Sequence, residues 1–316
     1  MPILEEDDYS PSLFYRNGHI NSMYTFFFRN PEPPPYKRLI INTPDDDFFE
    51  VNTLFSGQER CLFLCHGLEG STGSQYMLGL SKWASEAGWD VIGMNYRGCS
   101  GKPNKQLISY HSGFTRDLNH LVHHFKDKYE SISIVGFSLG GNILLKYLGE
   151  DPNLLPNNLH KAVAISTPID PSSASQQLKK FQNKPYARNF LKSLFGKIRE
   201  KHKIYPDEID LSYIPKIKEI WDYDEYYTSQ IYGFKGAEDY YAKCNSKQFL
   251  RNIKIDTMII NALDDPFLPK SCFPFEEAKD NKHLHLLASK YGGHVGFYSK
   301  KTKPFWHEKK ILSFLI

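Results

Sequence analysis

From Ser131 to Leu148 the chain reads Ser-Ile-Ser-Ile-Val-Gly-Phe-Ser-Leu-Gly-Gly-Asn-Ile-Leu-Leu-Lys-Tyr-Leu, and few folds accommodate such a stretch. Ile132 to Val135 is a short β-branched run, the mark of a buried strand. Ile143, Leu144, Tyr147 and Leu148 then repeat at helical spacing. Between them lies Gly136-Phe-Ser-Leu-Gly140, a G-x-S-x-G turn in strand-to-helix context, which predicts a nucleophile elbow. Ser138 is expected in a strained backbone conformation that lifts its hydroxyl above a sheet. The helix that follows would bring its positive dipole end to an oxyanion forming nearby.

The flanking chain supplies the sheet. Arg38–Asn42 and Asp47–Phe55, joined through Thr43-Pro-Asp-Asp46, read as an antiparallel hairpin. Strands are then expected at Arg60–Cys65, Asp90–Asn95, Lys161–Ser166, Thr257–Asn261 and His283–Leu287, with helices at Tyr76–Ala87, Phe114–Tyr129, Phe275–Asp280 and Phe305–Leu315. This alternation predicts an α/β fold with a mostly parallel, doubly wound sheet. It breaks between Thr167 and Leu250, where amphipathic helices and aromatic-rich turns suggest an inserted helical cap. The expected organisation is one domain over 1–316, with a core of about 39–167 and 251–316, a cap of about 168–250, and an irregular N-terminal arm over 1–38 packed on the surface.

Composition narrows the function. The 316 residues are 41% hydrophobic, enough for a full core. With 39 basic and 36 acidic residues the net charge is +3, which lacks the basic footprint of a nucleic-acid binder. Five cysteines (Cys61, Cys65, Cys99, Cys244 and Cys272) fall without ligand spacing, as expected of reduced thiols in the cytoplasm. The acidic start, Met1 to Asp8, has no apolar segment of a secretion signal, and no apolar run reaches the ~18 residues of a membrane span. A soluble, cytoplasmic protein is the expectation.

Acyl transfer through a serine needs a base, an acid to orient that base, and donors for an oxyanion. His294, in Gly292-Gly-His-Val-Gly296, follows the last expected strand and is the candidate base. Asp264 or Asp265 follows the preceding strand and could orient it. Serine, acid, histidine is the hydrolase chain order. His66-Gly67-Leu68 at another strand end resembles a loop that gives one oxyanion donor, so the backbone N–H groups of Leu68 and Leu139 are the expected hole. His66 itself is read as a turn residue. His120, His123 and His124 share a helix face, but a wet surface is the simpler reading than a metal site. No dinucleotide fingerprint follows a strand, so no cofactor and no metal are expected.

Six blocks together are similar to the YheT-like branch of the α/β-hydrolases. They are Leu64-Cys-His-Gly-Leu-Glu-Gly-Ser71, Asn95-Tyr-Arg-Gly-Cys-Ser-Gly101, Tyr110-His-Ser-Gly113, Gly136-Phe-Ser-Leu-Gly-Gly-Asn142, Ala262-Leu-Asp-Asp-Pro-Phe267 and Gly292-Gly-His-Val-Gly-Phe297. The segment from Trp221 to Tyr241 resembles the family's cap signature. This resemblance implies a serine hydrolase of carboxylic esters with its triad on Ser138, Asp265 and His294. The hydrolase pattern of acid, any residue, apolar pair and proline also fits Asp265-Pro-Phe-Leu-Pro269, leaving Asp264 for loop amides or solvent.

The expected partner is a small-molecule or lipid ester, with thioester hydrolysis or acyl transfer using the same residues, or silent ligand binding on this scaffold, as rivals. Phe190, Leu191, Leu194, Phe195 and Ile198 lie at helical spacing among Arg188, Lys192, Lys197, Arg199, Lys201 and Lys203. That basic amphipathic helix could touch an anionic membrane surface, or its apolar face could roof the active site with its lysines in water.

Overall fold

The computed structural model describes residues 3–4, 9–298 and 303–316. Most of the acidic start, namely Met1, Pro2 and Glu5 to Asp8, therefore lies outside the described residues. Eight strands form one sheet: β1 (Lys37–Thr43), β2 (Asp47–Leu54), β3 (Arg60–Cys65), β4 (Asp90–Asn95), β5 (Ser131–Phe137), β6 (Leu159–Ile165), β7 (Asp256–Ala262) and β8 (Leu284–Ser289). Their order is β1-β2-β4-β3-β5-β6-β7-β8. The β1–β2 and β2–β4 pairs are antiparallel and every other pair is parallel.

The central strands read as unbroken apolar runs because both their faces are covered. Successive side chains of β3 divide between two cores: Cys61, Phe63 and Cys65 face one, Leu62 and Leu64 the other. The first core is closed by α3 (Arg116–Phe125) and α4 (Leu139–Glu150), through Leu118, Leu121, Val122, Ile143, Leu144 and Leu148. The second is closed by α2 (Gln75–Glu86), through Met77, Leu80 and Ala84, and by the C-terminal helix Trp306–Leu315.

The N-terminal segment departs from the expected irregular arm. It contains α1 (Gly18–Phe28), whose Asn17 side chain caps the helix by accepting from the Ile20 amide at 3.1 Å. The buried residues of α1 are Gly18, Asn21, Ser22 and Thr25, a polar stripe at helical spacing. Met23, Phe26, Phe27 and Phe28 stay exposed. A search for apolar periodicity misses such a helix, because its buried stripe is polar.

Between β6 and β7 the chain forms α5 (Pro171–Lys179), α6 (Lys184–Ile204), α7 (Ile220–Tyr223), α8 (Ser229–Tyr232) and α9 (Ala237–Cys244), with a π-helical turn over Asp224–Thr228. The apolar face of α6 turns inward, burying Leu191, Leu194 and Ile198 against Ile209, Ile217, Ile220 and Tyr227. Two of its lysines are engaged by the core rather than free in solvent. Lys201 is buried and donates to the backbone oxygens of Asn104 (2.9 Å) and Gln106. Lys197 pairs with Glu69 at 2.8 Å. Helix α10 (Phe275–Asp280) precedes β8, and α11 (Trp306–Leu315) is the C-terminal helix.

Candidate active site

The carboxyl ends of β3, β5, β6, β7 and β8 lie along one edge of the sheet, where open parallel sheets bind ligands. Ser138 follows β5 at φ 52°, ψ −120°. That conformation requires close chain crossings on either side. A Cβ on Gly136 would lie 2.4 Å from the Gly140 oxygen, and one on Gly140 would lie 2.5 Å from the His66 oxygen. Both positions admit only glycine. The Ser138 amide is tied to the Ile165 oxygen at 2.8 Å, so the turn is held from the neighbouring strand.

Two hydrogen bonds converge on His294. Its Nε2 lies 2.9 Å from Ser138 Oγ, and its Nδ1 lies 2.8 Å from Asp265 Oδ2. The Asp265 side chain is fully enclosed, and its second oxygen accepts the Phe267 amide at 2.8 Å. The Phe267 ring lies 4.3 Å from the imidazole, centroid to centroid, and screens the pair from water. Asp264 turns the other way. Its Oδ1 accepts the Gly293 amide at 2.8 Å, while Oδ2 is buried with no partner among the described residues. Burial, aided by the charge of Asp265, pushes its carboxyl up to about 6.

The loop after β3 passes beside the serine. His66 is completely buried and burial lowers its pKa to about 4, so its ring is neutral at pH 7. Its Nδ1–H donates to the Gly67 oxygen at 2.7 Å and Nε2 accepts the Tyr96 amide at 3.3 Å. It braces the turn and, among the described residues, makes no bond to Ser138, Asp265 or His294. Leu68, next in the loop, lines the same cavity as Ser138 and Leu139. Leu139 opens α4, whose first amides have no intrahelical acceptor.

Local sequence reasoning gave no role to a polar cluster beside this loop. Glu69, at φ 55°, accepts from Tyr110 Oη (2.7 Å), Lys197 Nζ (2.8 Å) and Ser193 Oγ. Lys197 also meets Cys99 Sγ at 2.9 Å. Burial disfavours its ammonium, but Cys99 and Glu69 more than offset this, so its pKa is raised. Asn142 likewise carries no local signal, although it lies in the segment Gly136–Asn142 that resembles the family. It is fully buried in α4, donates to the oxygens of Ser112 (2.8 Å) and Cys244 (2.9 Å), and accepts the Ser246 amide (3.0 Å). The helical segment is thereby fastened to the core one turn from Ser138.

Ser138 and His294 open into a cavity of about 170 Å³. Its walls include Leu107, Leu178, Phe190, Leu194, Ile198 and Ile220, and Asp224 and Tyr241 also line it. Asp224, on the π-helical turn, accepts from Thr228 Oγ1 at 2.6 Å and from Tyr241 Oη. Burial raises its carboxyl to about 6. Among the described residues no three His, Cys, Asp or Glu side chains converge as a metal site. His120 and His123 instead contact the backbone oxygens of Asn42 and Asn119.

An eight-stranded, mostly parallel sheet with a serine on the β5–α4 turn defines the hydrolase class of α/β folds. Residues 61–300 match the family model described as the alpha/beta hydrolase fold, and the chain belongs to that family, in its YheT-like branch. It is 32% identical to the Escherichia coli K12 protein named "Putative esterase YheT", over 98% of this chain and 93% of that one. It is 27% identical to human phospholipase ABHD3, over 94% of this chain and 75% of that one. Among solved structures, a Pyrococcus furiosus esterase superposes with a TM-score of 0.61 at 17% identity, covering 92% of this chain and 97% of that one, a likeness of fold.

Proposed function

We propose that the chain hydrolyses carboxylic esters through an acyl-enzyme on Ser138. The observation that carries this reading is the continuous hydrogen-bonded path from Asp265 through His294 to Ser138 at the mouth of an apolar cavity. In acylation the Ser138 hydroxyl gives its proton to His294 Nε2 as Oγ attacks the ester carbonyl. Asp265 holds the tautomer with hydrogen on Nδ1 and stabilises the imidazolium that forms. The amides of Leu68 and Leu139 stabilise the tetrahedral oxyanion, each contributing about 3 kcal/mol by the scale of oxyanion-donor deletions. His294 then protonates the leaving alcohol and activates the water that frees the acid. The reaction needs no cofactor.

The lining favours an ester with an apolar acyl chain. Relatives named as phospholipase and as yeast monoacylglycerol lipase support lipid esters as the substrate class. The segment from about 168 to 250 acts as the cap that closes over this chain. No helix among the described residues is long and apolar enough to cross a membrane. The five cysteines, all unpaired, support a reducing, cytoplasmic setting.

A fluorophosphonate probe tests the reading. The wild type is expected to label at one serine and to cleave short nitrophenyl esters. Ser138→Ala is expected to lose both while melting within a few degrees of wild type. Undiminished turnover in that variant rules out the serine mechanism.

A further inference from the structure

The loop that carries His294 is strained. Val295 and Phe297 have φ of 54° and 44°, a region that a β-branched residue such as Val295 rarely enters, whereas Gly293 takes its φ of 59° without strain. Strain of this kind, on the order of 1–3 kcal/mol per residue, persists only where the surroundings fix the backbone. Four of the loop's amides are held by side chains. Gly293 N–H donates to Asp264 and Val295 N–H to Ser166 Oγ (2.9 Å), both groups at the ends of core strands. The other two acceptors come from α1. The Tyr298 amide donates to Asn21 Oδ1 at 3.0 Å, and the His294 amide itself donates to Ser22 Oγ at 2.7 Å.

Ser22 is preset for this task. Its hydroxyl hydrogen is committed to the Gly18 oxygen at 2.6 Å, which leaves a lone pair for the His294 amide. Asn21 is locked in turn by donating to Tyr9 Oη and the Tyr15 oxygen, each at 3.0 Å. The first turn of α1 also abuts the acid loop. A Cβ on Gly18 would fall 1.8 Å from the Asp264 oxygen, so the two backbones touch. His19 of the same turn reaches Tyr186 of α6 at 3.3 Å.

We propose that α1 is a positioning element of the reaction centre and that Ser22 is the residue that fixes His294 against Ser138. This rests on the triad reading above. Ser22 does not touch the reacting atoms; it acts through the His294 backbone. Without its hydroxyl the half-buried His294 amide loses this acceptor and the strained loop relaxes. A displacement of about 1 Å in a reacting group costs roughly a hundredfold in rate. Neither α1 residue that holds the loop lines the substrate cavity, so the loss falls on kcat rather than KM.

The experiment compares four variants of the full chain on a short-chain nitrophenyl ester, with melting curves and fluorophosphonate labelling rates. Thr25→Ala is the matched control. Thr25 is also buried in α1, but among the described residues its hydroxyl bonds only the helix oxygens of Asn21 and Ser22. Ser22→Ala is expected to lower kcat and labelling rate about ten- to a hundredfold with KM within about twofold. Thr25→Ala is expected to keep kcat within about twofold even where its melting point falls as far. Ser22→Cys, near in size but a weaker acceptor, is expected to lower kcat several-fold and stands in should the alanine variant not fold. Wild-type kcat in the folded Ser22 variants, or an equal loss in Thr25→Ala, overturns the positioning role. Ser138→Ala separates the two readings: if it stays active the triad reading fails, whereas a dead Ser138→Ala beside a fully active Ser22→Ala defeats the role of α1 alone.

Discussion

The two carboxylates after β7 are neighbours with different surroundings. Asp265 is enclosed and reaches His294, while Asp264 accepts a loop amide and has one oxygen without a partner among the described residues. On the proposed mechanism, Asp265→Asn forces the wrong imidazole tautomer, and kcat on a nitrophenyl ester is expected to fall on the order of 10⁴-fold. Asp264→Asn still presents an oxygen to Gly293 and is expected to keep kcat within about tenfold of wild type. Collapse of the Asp264 variant alone would reverse the assignment. His66 illustrates the opposite case, a histidine beside the serine that burial keeps neutral and two backbone bonds keep still.

At the scale of elements, α6 and the loop after β3 meet at Glu69, which pairs with Lys197 and accepts from Ser193 of the helix. Glu69 immediately follows Leu68, and its side chain is 4% exposed, so removing its counter-charge leaves a buried carboxylate. Lys197→Met is expected to destabilise the fold by about 3 kcal/mol, read as a lower urea midpoint at unchanged slope. Adding Glu69→Gln should recover much of that loss, because the cost lies in the unpaired charge rather than in the missing bond. If the double variant is no more stable than Lys197→Met, the pair does not act as a unit. Tyr110 and Ser193 would continue to hold residue 69, so the expected effect on turnover is smaller than that on stability.

The molecule as a whole buries several histidines in neutral form. Burial lowers His66 to about 4 and His111 to about 3, and takes His307 well below its ordinary value. Below pH ~6.5 the unfolded chain binds protons that these folded sites refuse, so their contribution is intact above pH ~6.5 and lost as the pH falls through 4 toward 3. Asp224 and Asp264, raised to about 6, act in the opposite sense, since their buried charge is relieved as the pH falls below 6. With His19, His124 and His285 also lowered, six histidines stand against four raised carboxyls, Asp117, Asp224, Asp264 and Glu308, so the melting temperature is expected to be lower at about pH 5 than at about pH 7.5. His307 lies among Phe297 and Phe305 with neither ring nitrogen bonded among the described residues. His307→Phe is expected to raise the melting point at both pH values and to narrow the gap between them, by differential scanning calorimetry. An unchanged gap would remove His307 from the acid response.

Local signals carried the sheet. β3, β4 and α10 fall on the residues that apolar runs and turn residues mark out, and the elbow at Ser138 is written in adjacent glycines. These features depend on neighbours a few residues apart, which a sequence displays directly. Which carboxylate meets His294 was open to local reading and needed a family pattern, because adjacent side chains diverge only once β7 is placed. α1 was illegible: its buried stripe is Gly18, Asn21, Ser22 and Thr25, whereas its phenylalanines point outward. Lys197 and Lys201 likewise look like solvated charges until Glu69 and the Asn104 oxygen are brought beside them. In each case the deciding partner is distant in the chain, as Ser22 is from His294. Hydrophobic period and turn chemistry are local and fix which elements form; the burial of a polar group depends on a partner that only the folded chain supplies.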